Sequence, residues 1–385
     1  MKARIANTII ITTHDSLAPV KGGGALRTLS VIAEMKKRLL ELIIIAPFEM
    51  KAFDQNGALY ISLPQPRKEH SQILSALKFN LRLALRLMPM LGNADVLFSH
   101  NTIASIWVPF LKKIFKHLRF VLDITDIHAE YLPIGKRNIA EIIVTPFLLW
   151  YEYIIIKSAD RITVATQAMK QHLIAKGIDG DKIQVVYDSV DKQDIPQEKE
   201  AIAAQGVIHL GAIDRQHNVE VLIEAIPLVL KKFPQARFFL VGGGREKENI
   251  QKLAHRLGVA HHCFFTGSLP CNKAREFLRK ASIGVITRKN ALPNRIITTL
   301  KIFEYWASNT AVISPPLEGI REIATEGQNV LWFRSGNAGD LAEKISSLLS
   351  NRKYRDKLAA GGFRTVDVFS PDKAAEKIVD FGTAF

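Results

Sequence analysis

Short apolar runs alternate with helical segments along the 385-residue chain, and this alternation constrains the fold more than any other feature of the sequence. It is the pattern of parallel sheets whose two faces are covered by helices. We predict seven strands in the first half, at residues 4–13, 42–47, 58–63, 95–100, 120–123, 161–165 and 182–187. We predict six more in the second half, at residues 207–213, 237–242, 262–266, 283–287, 311–314 and 329–333. Each half is therefore expected to be a doubly wound, Rossmann-like α/β domain.

A polar segment rich in Asp, Glu, Lys and Gln separates the two halves. Residues 191–205 are therefore predicted to link an N-terminal domain at 1–190 to a C-terminal domain at 206–369. Ligands of open α/β sheets gather beyond the carboxyl ends of the strands. We therefore expect the two domains to face each other across one cleft.

The composition is that of a globular protein, with 48% hydrophobic and 23% charged residues. The two cysteines form no CxxC pair, so neither a disulfide framework nor a structural zinc is expected, and the compartment is predicted to be reducing. No signal peptide is recognisable. The apolar run 142–156 contains Pro146 and Glu152 and is shorter than the roughly 18 residues of a spanning helix. We expect this run to pack as a buried helix.

The net charge of +15 suggests an anionic partner. Nucleic acid is not expected, because no helix-turn-helix, zinc finger or aromatic RNA-binding motif accompanies the charge. Two predicted amphipathic helices instead carry basic stripes, which consist of Lys78, Arg82 and Arg86 in a helix at 73–91, and of Lys112, Lys113 and Lys116 in the next helix. Such helices suit an anionic membrane surface. For the second helix, a solvated face remains the alternative.

One helix of the second half has the features of an anion site. Thr298 or Thr299 is expected to cap it, and Asn309 tolerates the left-handed conformation of a helix stop. Lys301 and Glu304 would project from its N-terminal end, where backbone N–H groups and the helix dipole attract phosphate. Lys301 would meet the phosphate, and Glu304 would accept hydrogen bonds from two hydroxyls of a sugar. A surface ion pair on an ordinary amphipathic helix is the alternative.

Several motifs occur in the order typical of one enzyme family. In the first half these are Lys21-Gly22-Gly23-Gly24 with Arg27, the strand end Ser99-His100-Asn101, the segment Thr125-Asp126-Ile127-His128-Ala129-Glu130, and residues 158–166. In the second half they are Lys301-Ile302-Phe303-Glu304-Tyr305 and residues 319–323 and 326–329. In this combination the chain resembles the retaining family-four (group 1) glycosyltransferases of the GT-B architecture. It is most similar to their Lys-x-x-Glu-Tyr subgroup, which builds surface polysaccharides.

The resemblance implies that the second domain binds a UDP-sugar or GDP-sugar. It implies four catalytic residues, which are His100, Asp126, Lys301 and Glu304, the last of them on the ribose. Further donor contacts are expected from Gly23, Gly24, Arg215, Gly243, Arg288, Thr298 and Thr299. Contacts on the acceptor side are expected from Arg27, His128 and Glu130. Family members generally use neither a metal nor a protein nucleophile, and their last helix, here within 370–385, commonly returns to the first domain.

The chain departs from the family pattern at two cationic positions. The family has an Arg and a Lys where this chain has Ala212 and His217. The positive charge for a diphosphate would then come from elsewhere, and we rank Lys301 first and Arg288 second. The segment 179–181 has the Asp-x-Asp spacing of a metal-binding pair, but it lies in a predicted turn, so no metal site is expected.

Together these features predict a retaining hexosyltransferase that moves a sugar from a nucleotide donor to a glycan or a polyprenyl-linked or other lipid-linked acceptor. We expect it in the cytoplasm, at the inner face of the cell membrane, with no cofactor. Three alternatives remain. They are a nucleotide-sugar 2-epimerase of the same fold, a donor-binding protein without transferase activity, and a nucleic-acid-binding protein that only the net charge favours.

Overall fold

The computed structural model describes residues 8–18, 20, 22–48, 58–64, 72–134 and 139–384. The predicted beginning of the first strand, at 4–7, and Lys21 of the glycine motif lie outside the described residues. The chain forms two compact units. One comprises Met1–Tyr187 and Pro371–Phe385, and the other comprises Asp188–Ser370.

The first unit contains a seven-stranded parallel sheet in the order β3-β2-β1-β4-β5-β6-β7. Its strands are β1 (Thr8–Thr13), β2 (Glu41–Pro47), β3 (Ala58–Leu63), β4 (Val96–His100), β5 (Arg119–Ile124), β6 (Arg161–Val164) and β7 (Ile183–Val185). All seven predicted strands are confirmed. The strands β1 and β2 contain runs of Ile and Leu that are mostly buried, because a parallel sheet with helices on both faces buries consecutive side chains.

Five helices of the first unit follow these strands. They are α1 (Gly23–Lys37), α2 (Gln72–Leu87), α3 (Val108–Ile114), α4 (Ile139–Ser158) and α5 (Gln167–Ala175). Helix α2 ends four residues before the predicted end at residue 91, because Met88 precedes Pro89 and the residue before a proline disfavours helical backbone.

The expectation that the apolar run in α4 is buried is wrong. Ile143 and Trp150 are 70% and 58% exposed, and Ile142 and Phe147 are also exposed. The reason is that this helix is apolar on nearly every side. Packing one side against α3 and its neighbours leaves apolar side chains on the other side.

The second unit contains a six-stranded parallel sheet in the order β10-β9-β8-β11-β12-β13. Its strands are β8 (Gly206–Leu210), β9 (Arg237–Val241), β10 (Cys263–Gly267), β11 (Ile283–Val285), β12 (Ala311–Ser314) and β13 (Leu331–Trp332). These confirm the six predicted strands. The helices are α6 (Glu220–Leu230), α7 (Lys247–Arg256), α8 (Cys271–Glu276), α9 (Leu292–Arg295), α10 (Leu300–Ala307), α11 (Glu318–Arg321), α12 (Ala338–Ser350) and α13 (Arg352–Val366).

Helix α10 is held rigidly inside the second unit. Tyr305 and Trp306 are fully buried, and their polar atoms are paired: the N–H of Leu210 donates to the Tyr305 hydroxyl at 2.9 Å, and Trp306 Nε1 donates to the carbonyl of Asn329 at 2.8 Å. Gly284 makes room for the Tyr305 ring, since a Cβ there would lie 2.5 Å from the ring. Asn309, at φ 50°, ends the helix as predicted. This packing fixes the position of the N-terminal end of α10.

The final helix, α14 (Pro371–Thr383), belongs to the first unit. Its residues Ala375, Ile378 and Val379 enter the same core cluster as Val31 and Met35 of α1. Its burial therefore ties the end of the chain to the first sheet.

Candidate functional site

Among the described residues, no side chain caps the N-terminal end of α10. Thr299 is the N-cap residue, but its side chain makes no capping hydrogen bond, so the predicted capping by threonine is wrong in this respect. The buried Thr298 instead donates to Asp188 Oδ2 at 3.3 Å. The first N–H groups of a helix need partners from outside the helix, and an anion can supply them.

Lys301, in the first turn of α10, is a buried amine next to a glycine. A Cβ at Gly211, just beyond the end of β8, would lie 3.1 Å from Lys301 Nζ. Burial, together with repulsion from Arg288, lowers the pKa of Lys301 to about 7. The amine would regain its ordinary basicity if a negatively charged group bound beside it.

Arg288 and His217 surround the same point. Asn294, fully buried, accepts a hydrogen bond from Arg288 Nη1 at 3.0 Å, and Arg288 Nε is a buried donor with no partner in the described part of the chain. Burial lowers the pKa of His217 well below its ordinary value, and the charges of Lys301 and Arg288 add to this effect. His217 Nδ1 also has no partner among the described residues. The structure thus brings Lys301 and Arg288 together beside a neutral histidine.

The other predicted cation of this unit lies in a different environment. Arg215 is about half exposed, and its Nε donates to Glu246 Oε1 at 3.0 Å. No motif indicates Asn294, which orients Arg288, or His209, whose pKa burial lowers to about 3.

Gly243 makes a backbone hydrogen bond at a place where there is no room for a side chain. It lies in the loop after β9, and its carbonyl accepts a hydrogen bond from the N–H of Ile213 at 2.8 Å. A Cβ at Gly243 would meet Ser268 Oγ at 2.3 Å. The glycine therefore lets two loops at the carboxyl edge of the sheet pack against each other.

Glu304 is buried and paired with an arginine that no motif indicated. Arg275, in α8, donates from Nε to Glu304 Oε1 at 2.9 Å, and both side chains are about nine-tenths buried. Glu304 therefore does not form the surface ion pair that was the alternative interpretation of this helix.

In the first unit, His100 lies at the end of β4 and is fully buried. Its Nδ1 is 2.9 Å from Asp123 Oδ2, and its Nε2 is 3.1 Å from Asn101 Nδ2 and 3.7 Å from Asp15 Oδ2. Burial lowers the pKa of His100, but the hydrogen bond to Asp123 and the two carboxylate charges raise it above its ordinary value.

Arg27, predicted on the acceptor side, is bound to Asp123. Its Nε and Nη2 donate to the two carboxylate oxygens at 2.8 and 2.9 Å. Burial alone would raise the pKa of Asp123, but the Arg27 charge and the hydrogen bonds from His100 and Arg27 hold it well below its usual range. Arg27, Asp123 and His100 form one buried network.

The glycine turn packs on this network. Gly22, at φ 89°, precedes α1, which begins at Gly23. A Cβ at Gly24 would lie 2.3 Å from Asp15 Oδ2 and 2.7 Å from His100 Nε2. Asp15 was not predicted, because it belongs to no motif.

His128 and Asp126 lie in the turn after β5. The ring of His128 meets that of His14 edge-on, with centroids 5.3 Å apart, and the Nδ1 atoms of both rings are buried without a partner among the described residues. Burial lowers the pKa of His128 to about 4, and repulsion from His14 adds to this. Asp126 Oδ1 accepts a hydrogen bond from Tyr131 at 2.7 Å. His14, like Asp15, was missed by the sequence analysis.

Glu130 is already engaged. Its Oε1 accepts from the Tyr153 hydroxyl at 2.6 Å and lies 2.8 Å from His172 Nε2. The buried Glu152 of α4 accepts from the N–H groups of His128 and Ala129 at 3.0 and 2.7 Å, which fixes this turn.

The predicted membrane residues share a surface with exposed apolar side chains. On α2, the exposed side chains are Lys78, Arg82 and Arg86, with Leu77, Leu81 and Leu85. On α3, the exposed side chains are Phe110, Lys113 and Ile114, whereas Lys112 donates to Asp160 Oδ2 at 2.6 Å and to the carbonyl of Ser158 at 2.9 Å. Lys116 is also exposed, but it lies two residues beyond the end of α3, so its predicted place on this helix is wrong.

Two hydrogen bonds join these helices. Trp107 donates to the carbonyl of Asn80 in α2, and Tyr151 of α4 donates to the carbonyl of Ile106 just before α3. We use the name basic–apolar face for the exposed basic and apolar residues of these three helices and of the turn after α3. They are Leu77, Lys78, Leu81, Arg82, Leu85, Arg86, Phe110, Lys113, Ile114, Lys116, Ile142, Ile143, Phe147 and Trp150. Within the described residues, none of the helices has the length and apolar character needed to cross a bilayer. The same residues contain no group of three His, Cys, Asp or Glu side chains placed to hold a metal ion.

Comparisons with known sequences agree with this architecture. The sequence model of the family described as Glycosyltransferase Family 4 matches residues 21–194, and that of Glycosyl transferases group 1 matches residues 191–365. The lipopolysaccharide core biosynthesis glycosyltransferase LpsE of Rhizobium meliloti (strain 1021) is 28% identical over 160 residues, which are 42% of this chain and 44% of LpsE. The chain spans about half the length of the curated relatives it matches.

Solved structures match over almost the whole chain. Sucrose-phosphate synthase from Thermosynechococcus elongatus has a TM-score of 0.78 at 14% identity, covering 96% of each chain. Anabaena HepE, solved in complex with UDP and glucose, has a TM-score of 0.72 at 16% identity, covering 97% of this chain and 98% of HepE. At such identities the likeness shows the fold, which is GT-B.

Proposed function

We propose that this chain, which belongs to the group 1 glycosyltransferases of the GT-B fold, transfers a hexosyl unit with retention of configuration from a UDP-sugar or GDP-sugar to a glycan or a lipid-linked acceptor. The observation that carries the proposal is the buried Lys301 amine, which lies at the uncapped N-terminal end of α10 beside Arg288. A buried cation without a bound counter-charge is costly in the free protein. A diphosphate at this place would remove that cost.

The same groups fit the chemistry of transfer. Negative charge develops on the diphosphate as the sugar departs, and oriented N–H groups and cations stabilise it most when they are already in place. Lys301 and the first N–H groups of α10 are held by a buried helix, and Arg288 is held by its hydrogen bond to Asn294, so these groups need little rearrangement. We assign them, with Thr298 and Thr299, to the diphosphate, and we expect no metal to be needed.

We assign Glu304 to the ribose of the donor. One turn separates it from Lys301, so a nucleotide whose phosphates lie at Lys301 would place its ribose near this carboxylate. The solved complex of HepE with UDP and glucose supports a nucleotide-sugar donor in this fold.

In the first unit, we assign the sugar and acceptor contacts to the turn after β5. His128 is neutral and has a free ring nitrogen, and Asp126 lies two residues before it. His100 is fully buried with both ring nitrogens engaged, so we propose that it positions Asp15 and the Gly24 turn instead of contacting the sugar.

We also propose peripheral contact with an anionic membrane at the cytoplasmic face, through the basic–apolar face. Lysines and arginines beside exposed Leu, Phe and Trp side chains are the composition of an interfacial surface. A lipid-linked acceptor would be presented at such a surface.

Nucleotide binding tests the donor assignment. We expect UDP or GDP, at 100 times its dissociation constant, to stabilise the protein by about 2.7 kcal/mol in thermal unfolding. Lys301→Met should weaken that nucleotide about 10- to 100-fold, the loss expected for charged hydrogen bonds. Lys231→Met, which removes an exposed lysine of the same unit, serves as the matched control. No stabilisation by any nucleotide or nucleotide sugar would refute the donor site.

Product analysis separates the alternatives. An epimerase would convert the donor to its C2 epimer without an acceptor, which proton NMR detects. A donor-binding protein would bind nucleotide sugar but form no product with any glycan or lipid-linked acceptor.

Flotation with anionic vesicles tests the membrane contact. Changing Lys78, Arg82 and Arg86 to Ser, or Phe147 and Trp150 to Ser, should each reduce the bound fraction, because the two sets supply charge attraction and apolar insertion. Raised salt should weaken the wild type but have less effect on the triple Ser variant. Unchanged flotation of both variants would exclude this surface.

A further inference from the structure

Glu304 is held by a single buried arginine from another helix. Arg275 Nε lies 2.9 Å from Glu304 Oε1, and the side chains are 8% and 11% exposed. The two residues are 29 positions apart, one in α8 and the other in α10. The pair therefore depends on tertiary structure and is not a local helix contact.

The ion pair uses one of the two carboxylate oxygens. No described residue donates a hydrogen bond to Glu304 Oε2. This oxygen is also not completely buried. A ligand can therefore still reach Oε2. The Nε–H of a planar guanidinium points in a fixed direction, whereas the N–H groups of an ammonium rotate, so Arg275 restrains Oε1 more closely than a lysine would.

Arg275 is itself restrained. Its Nη1 lies 4.0 Å from Asp194 Oδ2. Asp194 is largely exposed, so this second contact is weak and serves to keep the guanidinium in place. The buried contact to Glu304 is the stronger of the two.

The pair also bears on Lys301. Glu304 lies one turn from Lys301, and its charge raises the pKa of that lysine. Without Arg275, the Glu304 carboxylate would be free to turn toward the Lys301 amine and form an ion pair with it. Its ion pair with Arg275 gives the carboxylate a different partner, which leaves the Lys301 amine for a ligand.

We propose that Arg275 is a positioning residue, which holds the Glu304 carboxylate with Oε2 directed at the ribose hydroxyls of the donor nucleotide. The inference rests on the proposed function of Glu304. It adds a residue that contacts neither sugar nor phosphate but sets how strictly the site selects a ribonucleotide.

The test compares the affinities of a nucleotide and its 2′-deoxy and 3′-deoxy analogues by calorimetry, using whichever of UDP and GDP binds the wild type. The wild type should prefer the ribonucleotide by about 10- to 100-fold over at least one analogue, the factor carried by charged hydrogen bonds. Arg275→Gln and Glu304→Gln should each reduce this preference to less than about threefold. Arg275→Lys should restore only part of it.

The matched control is Arg279→Gln, which removes a nearby arginine paired with surface glutamates. It should keep the full preference. Because each preference compares two ligands on one variant, a partly unfolded preparation does not alter it. If Arg275→Gln does not fold, Arg275→Lys, which keeps the charge, carries the test.

The outcomes separate the two levels of inference. A wild type that binds nucleotide without distinguishing the analogues overturns the ribose assignment of Glu304, and the positioning role with it. A preference lost in Glu304→Gln but intact in both Arg275 variants overturns the positioning role alone. A preference lost equally in Glu304→Gln, Arg275→Gln and the double variant supports the pair acting as a unit.

Discussion

The buried amine of Lys301 makes a quantitative prediction about pH. Burial lowers its pKa from 10.5 to about 7 in the folded protein. Above pH 7 the folded chain releases this proton, whereas the unfolded chain holds it until about pH 10.5. The unfolded state therefore binds more protons in this window, so stability rises with pH, by about 1.4 kcal/mol per unit. Below pH 7 the Lys301 amine is protonated in both states, and burying its charge lowers the free energy of unfolding by about 5 kcal/mol.

The perturbation is Lys301→Met, which removes the titration. Between pH 7.5 and 9.5, the free energy of unfolding of the wild type should rise by about 2–2.5 kcal/mol relative to the variant. Lys199, whose pKa burial also lowers to about 7, adds a similar rise to both proteins and cancels in the difference. Urea unfolding at a series of pH values measures it. Parallel curves for the two proteins would refute the reasoning.

A bound diphosphate should reverse this trend. Its negative charge favours the protonated amine, so binding above pH 7 should take up close to one proton, and affinity should fall up to tenfold per pH unit. A nucleotide sugar is the suitable ligand, because both of its phosphates are esterified and lack the titration near pH 6 of a terminal phosphate. Calorimetry at pH 8.5 in buffers of different ionisation enthalpy counts the protons. Binding with no proton uptake would place the diphosphate away from Lys301.

Two further predictions concern the packing that holds α10. Gly284→Ala should destabilise the protein by about 1–3 kcal/mol in urea unfolding, because the added Cβ would overlap the ring of Tyr305. Gly92→Ala is the control and should have little effect, because its Cβ would lie in open space. Asn329→Ala should lower the free energy of unfolding by about 2–3 kcal/mol, because the buried Asn329 amide accepts from the N–H of Thr325 at 2.8 Å and donates to Thr365 at 2.9 Å. The control is Gln328→Ala, which changes an exposed side chain, and an equal loss of stability in both variants would contradict this account.

Local sequence carries enough information to predict the strands. Runs such as Ile9-Ile10-Ile11 favour extended backbone, and the turns that bound them leave few alternatives for their ends. The end of α10 at Asn309 was predictable for the same reason, since few residues accept a positive φ. These features depend on neighbours within a few positions.

The exposure of a side chain and the partner it contacts depend on residues distant in the sequence, so local patterns do not predict them. An all-apolar helix such as α4 has no pattern that distinguishes its covered side from its open side. The ion pair of Glu304 with Arg275 and the contact of Asp15 with His100 each join segments that share no motif. Lys301 could be ranked first because it lies at a helix N-terminus, but its close approach to Gly211, 90 positions earlier, depends on the tertiary fold.

The histidine at position 217 explains how this arrangement is tolerated. A lysine there, as in the family pattern, would bring a third buried cation to Lys301 and Arg288, and repulsion among them would raise the cost of the free protein. His217 stays neutral because burial and these two charges lower its pKa. It fills the space of a cation without adding charge. In the proposed donor site, the charge that a diphosphate needs would then fall on Lys301 and Arg288. We therefore expect the protonation of one lysine to control more of the binding here than it would in a site with three cations.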